Sequence, residues 1–72
     1  MNAKEWIAEF ARRLGTDAPT TEEFATLLEV AGEAAHASER VAAPVACWVA
    51  ARAGVDPAEA LRVAREVDGS RG

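Results

Sequence analysis

The chain has little of what stabilises a secreted or sheet-forming protein. Cys47 is its single cysteine, so no disulfide can form within the chain. Tyrosine is absent, and alanines far outnumber β-branched residues, which favours helices over a sheet. Met1 leads straight to Lys4 and Glu5 without the apolar stretch of a secretion signal. We therefore expect a cytoplasmic protein that is not exported.

Long apolar runs and an excess of basic charge are also missing. The longest uncharged run, Val41 to Ala51, is roughly half of what a transmembrane helix needs, so we expect no membrane span. The formal net charge of −4 disfavours nucleic-acid binding, which needs clustered lysine and arginine. The basic pair of the last predicted helix, Arg62 and Arg65, is flanked by glutamates, so we expect no DNA-binding helix-turn-helix.

Helix start and stop signals recur along the chain. Capping residues, first-turn prolines and acidic residues three positions after a cap indicate four helix starts. They are Asn2 with Glu5, Thr20 with Glu23, Pro44, and Asp56 with Pro57 and Glu59. Gly15 and Gly54 indicate helix ends. The sequence predicts an all-α fold, a compact bundle of four short helices at approximately 3–14, 21–38, 43–53 and 57–68.

The length and the short connections predict one domain with a thin core. A chain of 72 residues buries a smaller fraction of its surface than a larger protein does. Connections of about four to six residues indicate that neighbouring helices pack antiparallel. We expect residues 1–68 to form a single helical domain and residues 69–72 to form a disordered tail.

The apolar residues of the first and third predicted helices are arranged differently. The first helix has one apolar stripe at the helical period, which we expect to face the core. It consists of Trp6, Ile7, Phe10 and Leu14. The third helix is apolar on all sides, so it is either central or covers a partner. Its Trp48 is then either the main core side chain, which packing favours, or an interface anchor. The candidate interface residues are Trp48, Cys47, Ala50 and Ala51.

The second predicted helix carries residues that could bind a ligand. Glu33 and His36 form a Glu-x-x-His pair, and Glu29 precedes them by one turn. This spacing occurs in metal sites of helical bundles, but one histidine cannot complete such a site within one chain. Arg40 pairs with Glu39, caps the second helix or recognises an anionic group. The candidate ligand residues are therefore His36, Arg40 and Glu33, although a solvated acidic face explains them more simply, and no metal site is expected.

The sequence shows no catalytic group. The neighbours of Cys47 include no base that would lower the pKa of its thiol, so it is better interpreted as a small buried hydrophobe. The glycines are scattered and form no loop that could hold a phosphate. We expect no enzyme activity, no catalytic residue and no cofactor.

The order of several features resembles a known family. The likeness is carried by Glu5-Trp6-Ile7 before Leu14-Gly15, by Ala35-His36 with Arg40, by Ala42-Ala43-Pro44, and by Ala53-Gly54 before an alanine-rich helix. These features resemble a small bacterial all-helical domain of unknown function, found alone or fused to nucleotidyltransferases of the molybdenum cofactor guanylyltransferase type. The resemblance spans nearly the whole chain and implies an accessory role in molybdenum cofactor biosynthesis.

Two functions follow from these observations. The first is a non-enzymatic interaction domain that docks on a protein partner, or on a second copy of itself, through the apolar third helix. The alternative is a small-ligand or metal-binding accessory protein, in which His36, Arg40 and the acidic ridge that includes Glu33 surround a small anion, a pterin-like molecule or a metal ion.

Overall fold

The computed structural model describes residues 1–69, and within this range the chain forms four α-helices and no strand. The helices are α1 (Ala3–Leu14), α2 (Thr21–Ala37), α3 (Ala42–Ala53) and α4 (Pro57–Gly69). The predicted all-α bundle of four helices is confirmed, and every predicted boundary lies within one residue of the observed one. Gly69, predicted to begin a disordered tail, is the last residue of α4, and residues 70–72 of the predicted tail lie outside the described residues. No described helix has the length and apolarity needed to cross a membrane.

Side-chain caps define the starts of three helices. The Asn2 side chain accepts a hydrogen bond from the Glu5 N–H at 2.8 Å, and the Glu5 carboxylate accepts one from the Asn2 N–H at 3.0 Å. Thr20 and Glu23 form the same reciprocal pair at the start of α2. At the start of α4 the Asp56 carboxylate accepts the Glu59 N–H at 2.9 Å. These bonds satisfy backbone donors that the first turn of a helix leaves without partners.

Two glycines end α1 and α3 in the left-handed backbone conformation. Gly15 has a φ of 79° and Gly54 a φ of 77°, a region that side chains with a Cβ rarely occupy. After Gly15, the N–H of Thr16 donates to the carbonyl of Ala11 at 3.0 Å, which gives a carbonyl of the last turn a partner.

Helix α2 is the centre of the bundle, because both α3 and α4 pack against it. Val30 of α2 is the most deeply buried residue, with 2% of its surface exposed. Among the residues whose burial is described, just two others are buried, Ala11 of α1 and Ala60 of α4. No large side chain is fully enclosed in the described part of the chain, so the core is even thinner than the length of the chain suggests.

Helix α1 contacts the bundle mainly at the start of α2. Its Ile7 faces a small cavity that Pro19 and Phe24 also line, and the Lys4 ammonium lies 5.8 Å from the centre of the Phe24 ring. Ala11 is buried. On this side α1 faces residues 18–20 of the loop and the first turn of α2.

The prediction that the whole apolar stripe of α1 faces the core is therefore wrong. Trp6 is 52% exposed, Phe10 48% and Leu14 66%, and only Ile7 of the stripe is half-buried. The Trp6 and Phe10 rings stack on each other, with centroids 5.0 Å apart and planes inclined by 25°. We call these three exposed side chains, Trp6, Phe10 and Leu14, the α1 ridge.

Candidate functional site

An open groove runs between α3 and α4, and Val30 of α2 lies in its floor. Its volume is about 510 Å³, and every residue that lines it is an alanine or a valine. Val45 and Val49 line it from α3, and Val63 and Val67 line it from α4. We call this surface the α3–α4 groove.

The sequence explains why the groove stays open. Both α3 and α4 pack on α2, and the alanines of the groove include the half-buried Ala46 and Ala64 and the buried Ala60. Across the groove, alanine and valine side chains are too short to bridge the gap between α3 and α4. The valines therefore remain in contact with solvent, and 54% of the surface of Val49 is exposed.

The four predicted interface residues do not lie on one surface of α3. Ala50 lines the groove, whereas Ala51 is exposed outside it and Cys47 is half-buried. Trp48 is 59% exposed, so the expectation that it fills the core is wrong. The Arg52 guanidinium lies 5.2 Å from the centre of the Trp48 ring, a distance at which a cation is attracted to an aromatic face.

A row of charged residues follows the α4 side of the groove. Arg62 donates to Glu59 at 3.0 Å and to Glu66 at 2.6 Å. The hydrogen bond from Arg62 lowers the pKa of the Glu59 carboxyl. Because Glu59 and Glu66 lie four residues before and three residues after Val63, they stand beside the groove on the surface of α4.

The structure brings together two of the three predicted ligand residues. Glu33 and His36 line a shallow depression that also includes Glu29 and Arg65. The Arg65 guanidinium lies 3.5 Å from a carboxylate oxygen of Glu29 and 3.5 Å from one of Glu33. Arg40 does not line the depression, since it lies in the connection between α2 and α3.

Arg65 is the residue that sequence reasoning missed at this site. It lies on a different helix from Glu29 and Glu33, and no local spacing pattern could have indicated the contact. Its guanidinium places a positive charge where a cation would have to bind. In the part of the chain that the structure describes, no three histidine, cysteine, aspartate or glutamate side chains are arranged to hold a metal ion.

Cys47 has the properties of a structural thiol. Burial raises the pKa of its side chain, which is the opposite of the shift that a nucleophilic cysteine needs. Glu9, by contrast, has a carboxyl pKa lowered by hydrogen bonds from Arg12 and then Arg13. Among the described residues, no charged group lowers the pKa of the Cys47 thiol.

We expect Cys47 to react with iodoacetamide several-fold more slowly in the folded chain than in the urea-unfolded chain at the same mildly alkaline pH. The raised pKa leaves less thiolate, and the surrounding helix covers part of the sulfur. The rate is measured by mass spectrometry of samples taken over time. Equal rates in the folded and unfolded chains would contradict this interpretation of Cys47.

Comparison with known protein families gives a match over nearly the full length. The model of a domain of unknown function, DUF6457, matches residues 1–70. The chain belongs to the DUF6457 family. This finding supports the expected likeness to a small domain of unknown function, and the family description assigns no activity. No curated protein and no solved structure matches this DUF6457 domain, so its function is inferred from its own surfaces.

Proposed function

We propose that the chain is a non-enzymatic protein-interaction domain whose α3–α4 groove accepts an apolar helix of another polypeptide. The observation that carries this proposal is an open groove of about 510 Å³ lined entirely by alanine and valine. Amphipathic helices commonly bind in such grooves, with apolar side chains at helical spacing as anchors. The single cysteine suits a cytoplasmic domain.

The thin core supports the same proposal. The two tryptophans and most of the larger aliphatic side chains of the described residues are exposed, and the three buried residues are Ala11, Val30 and Ala60. Soluble monomers rarely expose contiguous apolar patches larger than a few hundred Å². Covering the groove would contribute about 25 cal/mol for each Å² of apolar surface removed from water. Such a contact would add to the small contribution of the chain's own core.

The biological role that we propose is accessory to molybdenum cofactor biosynthesis. Its support is the resemblance of the sequence to domains fused to nucleotidyltransferases of the molybdenum cofactor guanylyltransferase type. The part that the domain plays there, within this proposal, is assembly through its apolar surfaces and not catalysis.

A small-ligand or metal-binding role has less support. The carboxylates of Glu29 and Glu33 already face the Arg65 guanidinium, and Arg40 lies outside the depression that contains His36. A cation would have to displace Arg65, and an anion would have to compete with these two carboxylates for it.

The role of the groove is tested by measuring how a substitution in it changes the size of the complex that contains the chain in cell extracts. Tagged wild-type chain, Val49→Asp and Ala51→Asp are expressed at natural levels, and cell extracts are separated by size exclusion. Ala51 is the matched control because it is exposed on the same helix outside the groove. We expect the wild type and Ala51→Asp to elute well above the mass of one chain, and Val49→Asp to elute as a single chain.

Val49→Asp should keep its helices, because the side chain is already more than half exposed and surface substitutions rarely change stability much. Circular dichroism of the purified variant checks this point. Elution of the wild type as a single chain, or elution of Val49→Asp with the wild type, would refute the proposed docking surface.

A further inference from the structure

We infer that the helix which fills the α3–α4 groove is α1 of a second copy of this chain. Two chains would then form a closed dimer in which each chain contributes its α1 ridge and receives the ridge of the other. This inference rests on the proposed function, because it requires the groove to be a docking surface.

The α1 ridge has the spacing and the length that the groove requires. Trp6, Phe10 and Leu14 follow one another at intervals of four residues, the pattern of anchors by which a helix binds in a groove. At a rise of 1.5 Å per residue the ridge is about 12 Å long, and the α3 wall of the groove, from Ala42 to Ala53, is about 16 Å long. The ridge therefore fits within the groove.

The two surfaces are also complementary in shape. The stacked rings of Trp6 and Phe10 present large, exposed side chains, whereas the groove is concave and lined by small ones. In an alternative dimer with the two grooves facing each other, an empty space would remain between them. The side chains that line this space would lack van der Waals contacts across it. Large aromatic side chains that enter a pocket of small residues give the close packing typical of strong interfaces.

The present position of α1 favours a second copy over its own chain as the binding site. Ala11 is buried, and Lys4 lies over the Phe24 ring, so one side of α1 already rests against the start of α2. This contact directs the ridge away from the rest of the chain. To reach its own groove, α1 would have to give up this contact, whereas a second copy can cover the ridge without moving α1.

The surface area of the chain agrees with a missing partner. The accessible surface is 5435 Å², whereas a compact monomer of this mass exposes about 4,300 Å². The difference of about 1,100 Å² is of the same order as the roughly 800 Å² that each partner buries in an interface of standard size.

Two-fold symmetry covers all of these apolar surfaces at once. Each chain has one ridge and one groove, so two reciprocal contacts use both surfaces of both chains. Such a dimer is closed and leaves no free end for further addition, unlike a head-to-tail chain of copies.

The test uses one charged substitution in the α1 ridge, one in the α3–α4 groove, and then a mixture of the two variant proteins. The masses of the purified wild type, Phe10→Asp, Val49→Asp and Ala51→Asp are measured by light scattering over a concentration series. We expect a dimer for the wild type and for Ala51→Asp. For Phe10→Asp and for Val49→Asp we expect the dimer dissociation constant to rise at least tenfold.

The mixture distinguishes the reciprocal dimer from other arrangements. Phe10→Asp keeps an intact groove and Val49→Asp keeps an intact ridge, so their mixed dimer retains one undamaged contact. An equimolar mixture should therefore dimerise more tightly than either variant alone. If both variants lose helix when alone, the mixture should recover helical ellipticity together with dimer mass, and this recovery would support the inference equally.

Several outcomes would overturn the inference. A wild type that is monomeric at high concentration excludes the dimer. A dimer that survives Phe10→Asp but not Val49→Asp shows that the groove binds something other than α1, and a mixture with no gain in mass excludes reciprocal contacts. If the pure wild type is monomeric while its assembly in extracts depends on Val49, the proposed function stands and the occupant is a different protein.

Discussion

Val30→Asp is expected to unfold the chain at room temperature. Val30 is 2% exposed and lies in the floor of the groove, where α2 meets the helices that pack on it. Burying a carboxylate without a partner costs several kcal/mol, and a core of this size rarely contributes more than about 3–5 kcal/mol. The helical signal in far-ultraviolet circular dichroism should fall to that of an unfolded chain.

The matched control for this substitution is Leu28→Asp on the same helix. Leu28 is 62% exposed, so the same new charge remains in water and the free energy of unfolding should change by less than about 0.5 kcal/mol. A Val30→Asp chain with the ellipticity and the cooperative urea transition of the wild type would show that the junction of α2, α3 and α4 is not the centre of stability.

Replacing glycine with alanine should have opposite effects at Gly32 and Gly54. Gly32 lies inside α2, and an added Cβ would meet no atom within 4 Å, so Gly32→Ala should raise the free energy of unfolding by about 0.5–1 kcal/mol. Gly54 ends α3 with a φ of 77°, a conformation that costs other residues about 1–2 kcal/mol. Gly54→Ala should therefore lower the free energy of unfolding.

Thermal unfolding at a fixed protein concentration measures both effects. In a domain of this size a change of 1 kcal/mol shifts the Tm by about 4–8 °C, so Gly32→Ala should melt higher and Gly54→Ala lower than the wild type. The concentration must be the same for all samples, because association would itself raise the Tm. Shifts of the same sign for the two variants would contradict the backbone argument.

The ends of the helices could be predicted from the sequence because their causes are local. The reciprocal caps of Asn2 with Glu5 and of Thr20 with Glu23 need only four consecutive residues, and the structure contains both. Gly15 requires no distant partner to end α1. Local signals of this kind are sufficient to predict four helices with bounds close to those observed.

The packing partners of the apolar side chains could not be predicted in the same way. An apolar stripe shows which side of a helix avoids water, but it does not show what lies opposite, so the ridge of Trp6, Phe10 and Leu14 was wrongly expected to face the core. The expectation that Trp48 fills the core was wrong for the same reason. The contact of Arg65 with Glu29 depends on α4 packing beside α2, which no periodicity reveals.

Helix α1 has its own hydrogen-bonded beginning and its own glycine end, and this independence bears on the speed of recognition. Asn2 caps its first turn, and the N–H of Thr16 donates to the carbonyl of Ala11 near its end, so hydrogen bonds at both ends favour its helical form before the ridge meets a partner. Trp6, Phe10 and Leu14 are held in register before any encounter, and little conformational entropy remains to be lost on binding. The α1 ridge can therefore bind its partner on the first correctly oriented collision, because no slow folding step has to follow the contact.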